Sequence, residues 1–293
     1  MHLTFRNCND AFRHLVNIFA DTPAGNLAIR RDNPVTRKPS RNGEVLMIEE
    51  PVTITYTHPC ERVLFNEARD CNPFFHMYEA LWMLAGRNDV APLAYYNSQI
   101  AQYSDDGKTL NGAYGYRWRC NRADAQVMPR DCESGPTYTE YYVSNPGIQW
   151  LKVDQLQILI NHLKADPNSR RAVLQMWNVE DDLLKVGIRC DYCNGTGNIH
   201  SPTDTCPKCL GHKIIDQSKD VCCNLSVMFA IREPWVDDSD PQAAMAEVMG
   251  DNPRYLDMTV TNRSNDMVWG MLGANYVHFS FLQEYMAANL GVE

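Results

Sequence analysis

The order of apolar and polar positions divides the chain into segments of distinct period. The first, to about Ala20, spaces its apolar residues as a helix does. The run GEVLMIEEPVTITYT is rich in β-branched residues and bounded by turn signals, which predicts strands. From Phe74 to Leu84 the apolar positions are 74, 75, 77, 78, 81, 82 and 84. That spacing predicts a helix with one buried face, stopped by Gly86. Cys120 to Gly147 shows no sustained period and contains Pro, Gly and Ser, so an irregular excursion is expected. Asp154 to Lys164 (DQLQILINHLK) predicts a second amphipathic helix, broken by DPNS. RRAVLQMWNV, NLSVMFAIR and YLDMTVTNR read as strands, and Val277 to Leu290 as a final helix. The class that follows is α+β with a mixed or antiparallel sheet.

Composition narrows the picture. At 293 residues, 44% hydrophobic and 22% charged, the chain has the make-up of a soluble globular protein. A net charge of −9 argues against broad nucleic-acid binding but leaves room for a local phosphate pocket. Such a pocket could draw on the basic stretch Asp21 to Arg41, which holds Arg30, Arg31, Arg37, Lys38 and Arg41. No apolar run approaches the roughly 18 residues that span a bilayer. The N-terminus lacks the apolar centre of a signal peptide, so a cytosolic protein is expected.

Of the 11 cysteines, four form two CxxC knuckles: Cys190-Asp-Tyr-Cys193 and Cys206-Pro-Lys-Cys209. Twelve residues separate them, a spacing suited to tetrahedral zinc held by four thiolates. Gly195, Gly197 and Gly211 permit the tight turns such knuckles need. Four thiolates leave no open coordination position, so the zinc is expected to be structural. CDYCNGTG resembles the zinc-binding repeats of J-domain co-chaperones, although no J-domain accompanies it. A redox role for each CxxC is the alternative, without the βαβ context it usually has.

Three separated stretches resemble the thymidylate synthases and their hydroxymethylase relatives. DPNSRRAVLQMWNVED (166–181) is similar to the family's P-x-SRR…WNV segment, and Cys222-Cys223-Asn224 occupies the place of its Pro-Cys-His. NRSNDMVWGMLGANYVHFSFLQEYMA (262–287) is like its Q-R-S-x-D…G…N…helix stretch. YEALWMLAG (78–86) and NGAYGYRWR (111–119) are weaker matches in the right order. The resemblance covers roughly residues 40–293. It implies one thymidylate-synthase-like catalytic domain over 1–293, with the zinc ribbon inserted at 186–220.

The resemblance assigns roles residue by residue. Cys223 is the nucleophile that adds to C6 of a pyrimidine and so activates C5, a step suited to a thiolate. Its alternative is core packing, as for many buried cysteines. Arg263, Arg170, Arg171 and an N-terminal arginine, Arg41 or else Arg37, are the phosphate ligands, with Ser264 beside them. Arg170 and Arg171 resemble the pair that crosses a twofold interface, which implies a homodimer. Asn275 reads the pyrimidine edge and favours uracil, with cytosine the alternative and Ala274 the rival position. Glu79 relays protons, and Tyr114 and Asp266 line the pocket. Trp82 and Asp266 face 5,10-methylenetetrahydrofolate, with core packing equally open to Trp82.

Two departures stand out. Asn224 replaces the usual histidine and, with the RSND asparagine, is more like the phage-type hydroxymethylases. The chain also stops at Glu293 before the family's H-x-Y segment, which suggests truncation. The activity implied is folate-dependent one-carbon transfer to C5 of dUMP, yielding thymidylate or 5-hydroxymethyl-dUMP. The competing readings are a dCMP hydroxymethylase and a zinc-ribbon binding module on an inactive scaffold.

Overall fold

The computed structural model describes residues 1–20, 35–40, 43–124, 138–145, 148–182, 218–233 and 254–293, with scattered positions from 192 to 207. The chain divides into two compact units, Met1–Met77 with Asn265–Phe281, and Tyr78–Ser264 with Leu282–Glu293.

In the first unit, β1 (His2–Phe5) pairs in parallel with β4 (Thr53–Tyr56), His2 opposite Thr53. Between them in sequence come α1 (Cys8–Ala20) and an antiparallel hairpin of β2 (Val35–Ser40) and β3 (Gly43–Ile48). The N-terminal segment is therefore not helical throughout. Asn7 Oδ1 accepts the N–H groups of Asn9 at 3.0 Å and Asp10 at 3.2 Å, which satisfies the first turn and starts the helix at Cys8. One face of α1 buries Ala11 and Leu15 against Leu272, with Leu3, Phe5 and Ile54 around them.

The second unit is built on a three-stranded antiparallel sheet, ordered β10 (Tyr255–Asn262), β9 (Asn224–Arg232), β8 (Val173–Gln175). Period 2 sorts its residues: Leu174, Val227, Phe229 and Leu256 are buried, while Val173, Met228 and Thr259, side by side in register, face outward. Helix α5 (Gln155–Ala165) buries Leu156, Leu159, Ile160 and Leu163 at helical spacing, and Asp154 Oδ1 caps it at Gln157 N–H, 3.0 Å. The stretch expected to be irregular contains strands instead. β5 (Asn121–Asp124) and β6 (Tyr138–Asn145) both pair antiparallel with β7 (Ile148–Val153). Flanking Pro, Gly and Ser obscure the short β-forming runs. The RRAVLQMWNV strand is shorter than expected. Met176 and Trp177 both donate to the Leu225 carbonyl at 3.0 Å, and the chain then turns into α6 (Val179–Asp182).

Three further helices carry site residues. α2 (Pro73–Leu84) ends at Gly86, whose φ of +69° and N–H bond to Met83 O at 2.9 Å fit a helix stop. α4 (Tyr114–Arg119), which follows the short α3 (Ala91–Tyr96), buries Trp118 completely, its indole N–H on the Met176 sulfur at 2.9 Å. α7 (Ala274–Leu290) is the last helix. These elements agree with the α+β class. No helix among the described residues is long and apolar enough to cross a membrane.

Candidate active site

Cys223 stands one residue before β9, on a segment held from several sides. The Arg263 N–H donates to the Cys223 carbonyl at 3.0 Å, and Arg263 Nε donates to the Cys222 carbonyl at 2.9 Å. Arg263 Nη2 donates to the Val221 carbonyl at 3.3 Å and lies 3.7 Å from Cys223 Sγ. This places a guanidinium against the expected nucleophile. A shift in register between Thr261 and Asn262 brings β10 to this point, and the guanidinium lies over Trp177, 5.5 Å from its ring centre.

The two neighbouring cysteines differ sharply. Cys222 is buried, its Sγ donates to Asn224 O at 3.1 Å, and burial pushes its thiol up to about 12. Cys223 is only half-buried. Asn224 is fully buried, and its Nδ2 donates to Thr261 O at 2.9 Å and Asn262 Oδ1 at 3.2 Å. Among the described residues its own Oδ1 finds no hydrogen-bond partner. Asn224 thus ties the start of β9 to β10 while leaving one buried acceptor over. Tyr114, at the start of α4, has its phenol pushed up by burial, with Cys222, Cys223 and Asp220 nearby adding to the effect.

Three polar residues that sequence reasoning did not single out complete this neighbourhood. Arg117 on α4 pairs through both nitrogens with Asp182 at the end of α6, Nη2 to Oδ1 at 2.9 Å and Nη1 to Oδ2 more closely. Arg117 also donates to the carbonyls of Met176 (2.8 Å) and Asn111 (3.1 Å). Asp182 in turn accepts the backbone N–H of Asn178 at 2.9 Å and of Cys222 at 3.3 Å. Burial opposes the charge on Asp182, but the Arg117 fork and these N–H donors outweigh it and hold the carboxyl below its usual pKa. Asp220 behaves in the opposite way. Burial raises its pKa, although its Oδ2 accepts Gly112 N–H at 2.7 Å. Arg117 lies within NGAYGYRWR and Asp182 just after DPNSRRAVLQMWNVED, yet nothing in the sequence links positions 65 apart.

The other expected residues fall as follows. Glu79 is half-buried on α2. Trp82 is only 4% exposed, and its indole N–H donates to Asp89 O at 3.2 Å. Its surroundings favour the packing role. Arg170, Arg171 and Ser264 are exposed. Asp266 and Asn275 belong to the first unit. Asp266 Oδ1 accepts Val268 N–H at 2.8 Å and Trp269 N–H at 2.7 Å, opening a π turn over Met267–Met271. Asn275 Nδ2 donates to Asn265 Oδ1 at 3.0 Å, beside Gly270, where a Cβ would come within 3.0 Å of that Nδ2. Arg41 lies outside the described residues, and Arg37 pairs with Glu44 at 2.8 Å.

Of the zinc knuckles, Cys193 and Cys206 are buried together against Ile199, next to an antiparallel bridge between Asn198 and Thr205. Cys190 and Cys209 lie outside the described residues. Among the described residues no group of three or more potential ligands gathers. One cysteine from each knuckle is thus buried beside the other.

A half-exposed cysteine beside an arginine, on an α+β scaffold, defines a candidate thiol-nucleophile enzyme. The sequence profile of the thymidylate synthase family matches residues 68–293, and the chain belongs to that family. It is 39% identical over 257 residues to the deoxyuridylate hydroxymethyltransferase of Pseudomonas phage M6, covering 88% of this chain and 51% of that protein. It is 34% identical over 244 residues to the deoxyuridylate hydroxymethyltransferase of Bacillus phage SP01, covering 83% and 45%. The like-named protein of Delftia phage PhiW-14 is 26% identical over 255 residues, covering 87% and 51%. The chain spans about half the length of these relatives.

Proposed function

We propose that this chain carries out folate-dependent one-carbon transfer to C5 of dUMP, with 5-hydroxymethyl-dUMP as product. The observation that carries the reading is the Cys223–Arg263 pair, Sγ and Nη2 being 3.7 Å apart. In this reading the Cys223 sulfur adds to C6 and so makes C5 nucleophilic. Arg263 then has an exposed guanidinium edge to offer a phosphate, with exposed Ser264 adjacent. Methylenetetrahydrofolate, when bound, supplies one carbon at the formaldehyde level. Asp266, an exposed carboxylate, suits the folate side better than the buried Trp82. The relatives' printed names favour the hydroxymethyl product and a deoxyuridylate substrate, and an amide such as that of Asn275 can accept from N3–H and donate to O4 of uracil.

A homodimer fits the outward face of the β8–β9–β10 sheet. Val173 and Met228 are 40% and 45% exposed there, and the exposed Arg170 and Arg171 immediately precede β8. In this reading each arginine pair serves the other subunit's phosphate. Cys190, Cys193, Cys206 and Cys209 hold one structural zinc, supported by the joint burial of Cys193 and Cys206.

The test is incubation with methylenetetrahydrofolate and either dUMP or dCMP, followed by mass measurement of the nucleotide. A gain of a hydroxymethyl group on dUMP is expected. Modification of dCMP alone would overturn the substrate, and a methyl product would overturn the outcome.

A further inference from the structure

Arg117 and Asp182 are the most deeply placed ion pair among the described residues, with side chains 9% and 0% exposed. An ion pair so buried is a poor stabiliser in itself, because desolvation offsets much of its attraction. Its hydrogen bonds indicate what else it does. Asp182 accepts the N–H of Cys222, the residue bonded directly to Cys223. Arg117 fixes that carboxylate in a fork and is itself anchored on the carbonyls of Asn111 and Met176. From the other side Arg263 holds the carbonyls of Cys222 and Cys223. The segment carrying the sulfur is thus gripped at the Cys222 N–H and at the Cys222 and Cys223 carbonyls by separate elements. Gly112 closes the remaining side, since a Cβ there would come within 3.0 Å of Cys222 N.

We propose that Arg117 and Asp182 are positioning residues for the Cys223 nucleophile, acting through the Cys222 N–H. The inference rests on the reading of Cys223 given above. Neither residue reaches the sulfur; the pair aims the peptide, and a misplacement of about 1 Å is enough to slow such a reaction markedly. A purely structural pair would be replaceable by apolar side chains of similar volume without loss of chemistry.

Two double variants separate these roles. R117M/D182L removes both charges and the acceptor, whereas R117M/D182N removes both charges but leaves an amide oxygen for the Cys222 N–H. Melting temperatures, dUMP affinity, release of tritium from C5 of dUMP, and the rate of iodoacetamide alkylation at Cys223 are measured on each. For R117M/D182L we expect wild-type dUMP affinity and C5 exchange slowed by about ten-fold or more. R117M/D182N should recover most of that loss at a similar melting temperature. Exchange at the wild-type rate in R117M/D182L, or no difference between the two variants, overturns the proposal. Should the apolar pair fail to fold, Asp182→Glu keeps the charge pair but displaces the acceptor, and an unchanged exchange rate there overturns it equally. If wild type itself exchanges no tritium, the functional reading fails. Alkylation then decides the positioning role alone, slower reaction at Cys223 in R117M/D182L supporting it and equal rates overturning it.

Discussion

Replacing Gly115 by alanine is a demanding test of how the site is supported. Gly115 is the second residue of α4, where that helix meets the end of α2. A Cβ built there lands less than 3.0 Å from the carbonyl oxygen, Cα and carbonyl carbon of Met83, all of them backbone atoms. No side chain can rotate to relieve the overlap. Restoring separations of about 3.5 Å requires α4 to retreat or α2 to unwind near Met83. Overpacking of this kind costs roughly 1–3 kcal/mol and occasionally more, and two opposed backbones place Gly115→Ala at the upper end. At about 2–4 °C per kcal/mol for a chain of this scale, the melting temperature should fall by roughly 6–12 °C. The retreat also carries Tyr114 and Arg117, so C5 exchange should fall more than stability alone explains. Gly107→Ala is the control. Its φ is +71° with nothing within 4 Å, so only backbone strain of about 1 kcal/mol is at stake. Differential scanning fluorimetry of both variants decides the matter. A Gly115→Ala protein that melts within a degree of wild type would show that α2 and α4 do not approach as described.

Cys223→Ser should abolish C5 exchange, because a hydroxyl is scarcely ionised at neutral pH. Cys222→Ser should largely retain it, since a hydroxyl can still donate to Asn224 O; equal loss in both would mean that the nucleophile is misassigned. Asp220→Asn should raise stability at pH 7. The buried Asp220 carboxyl has a raised folded pKa, so its contribution is fully present below the ordinary carboxylate value and lost as pH rises through the folded one. The mutant's advantage should therefore vanish in melts near and below about pH 4, and a pH-independent difference would contradict the assignment. Protein purified without chelator should contain about one zinc per chain by elemental analysis, and stripping it should lower the melting temperature. Metal-free protein with an unchanged melt would refute the zinc ribbon.

Much of this arrangement was legible in the order of residues. The amphipathic α5, the helix ending at Gly86 and the paired β9 and β10 follow from period and punctuation, because each buries one face of a regular element. Cys223 and Arg263 were legible through motif resemblance, and the structure brings them together. What was hidden depends on distance along the chain. β1 is too short to outweigh the helical pattern that follows it, and only its pairing with β4 reveals it. β5 and β6 find their regularity in β7. Arg117 and Asp182 each look like surface charges until a buried partner is supplied from another element. Trp82 had two equally good readings in sequence, and only its burial and its bond to Asp89 favour one.

Asp182 and the segment before Cys222 are each fastened by side chains from other parts of the chain. Asp182, just before residue 183, is held by Arg117. Ser218 and Lys219 are held by Asp105, Ser218 Oγ at 2.5 Å and Lys219 N–H at 3.1 Å. Asp182 also accepts the N–H of Cys222, so the chain returns at Cys222 to the place it left at Asp182. Closing a loop with a short segment demands little entropy, and lengthening the segment adds cost only slowly. The sequence between Asp182 and Cys222 thus begins and ends at one place, and exchanging part of it for a shorter or longer stretch should leave the thiol's cradle standing.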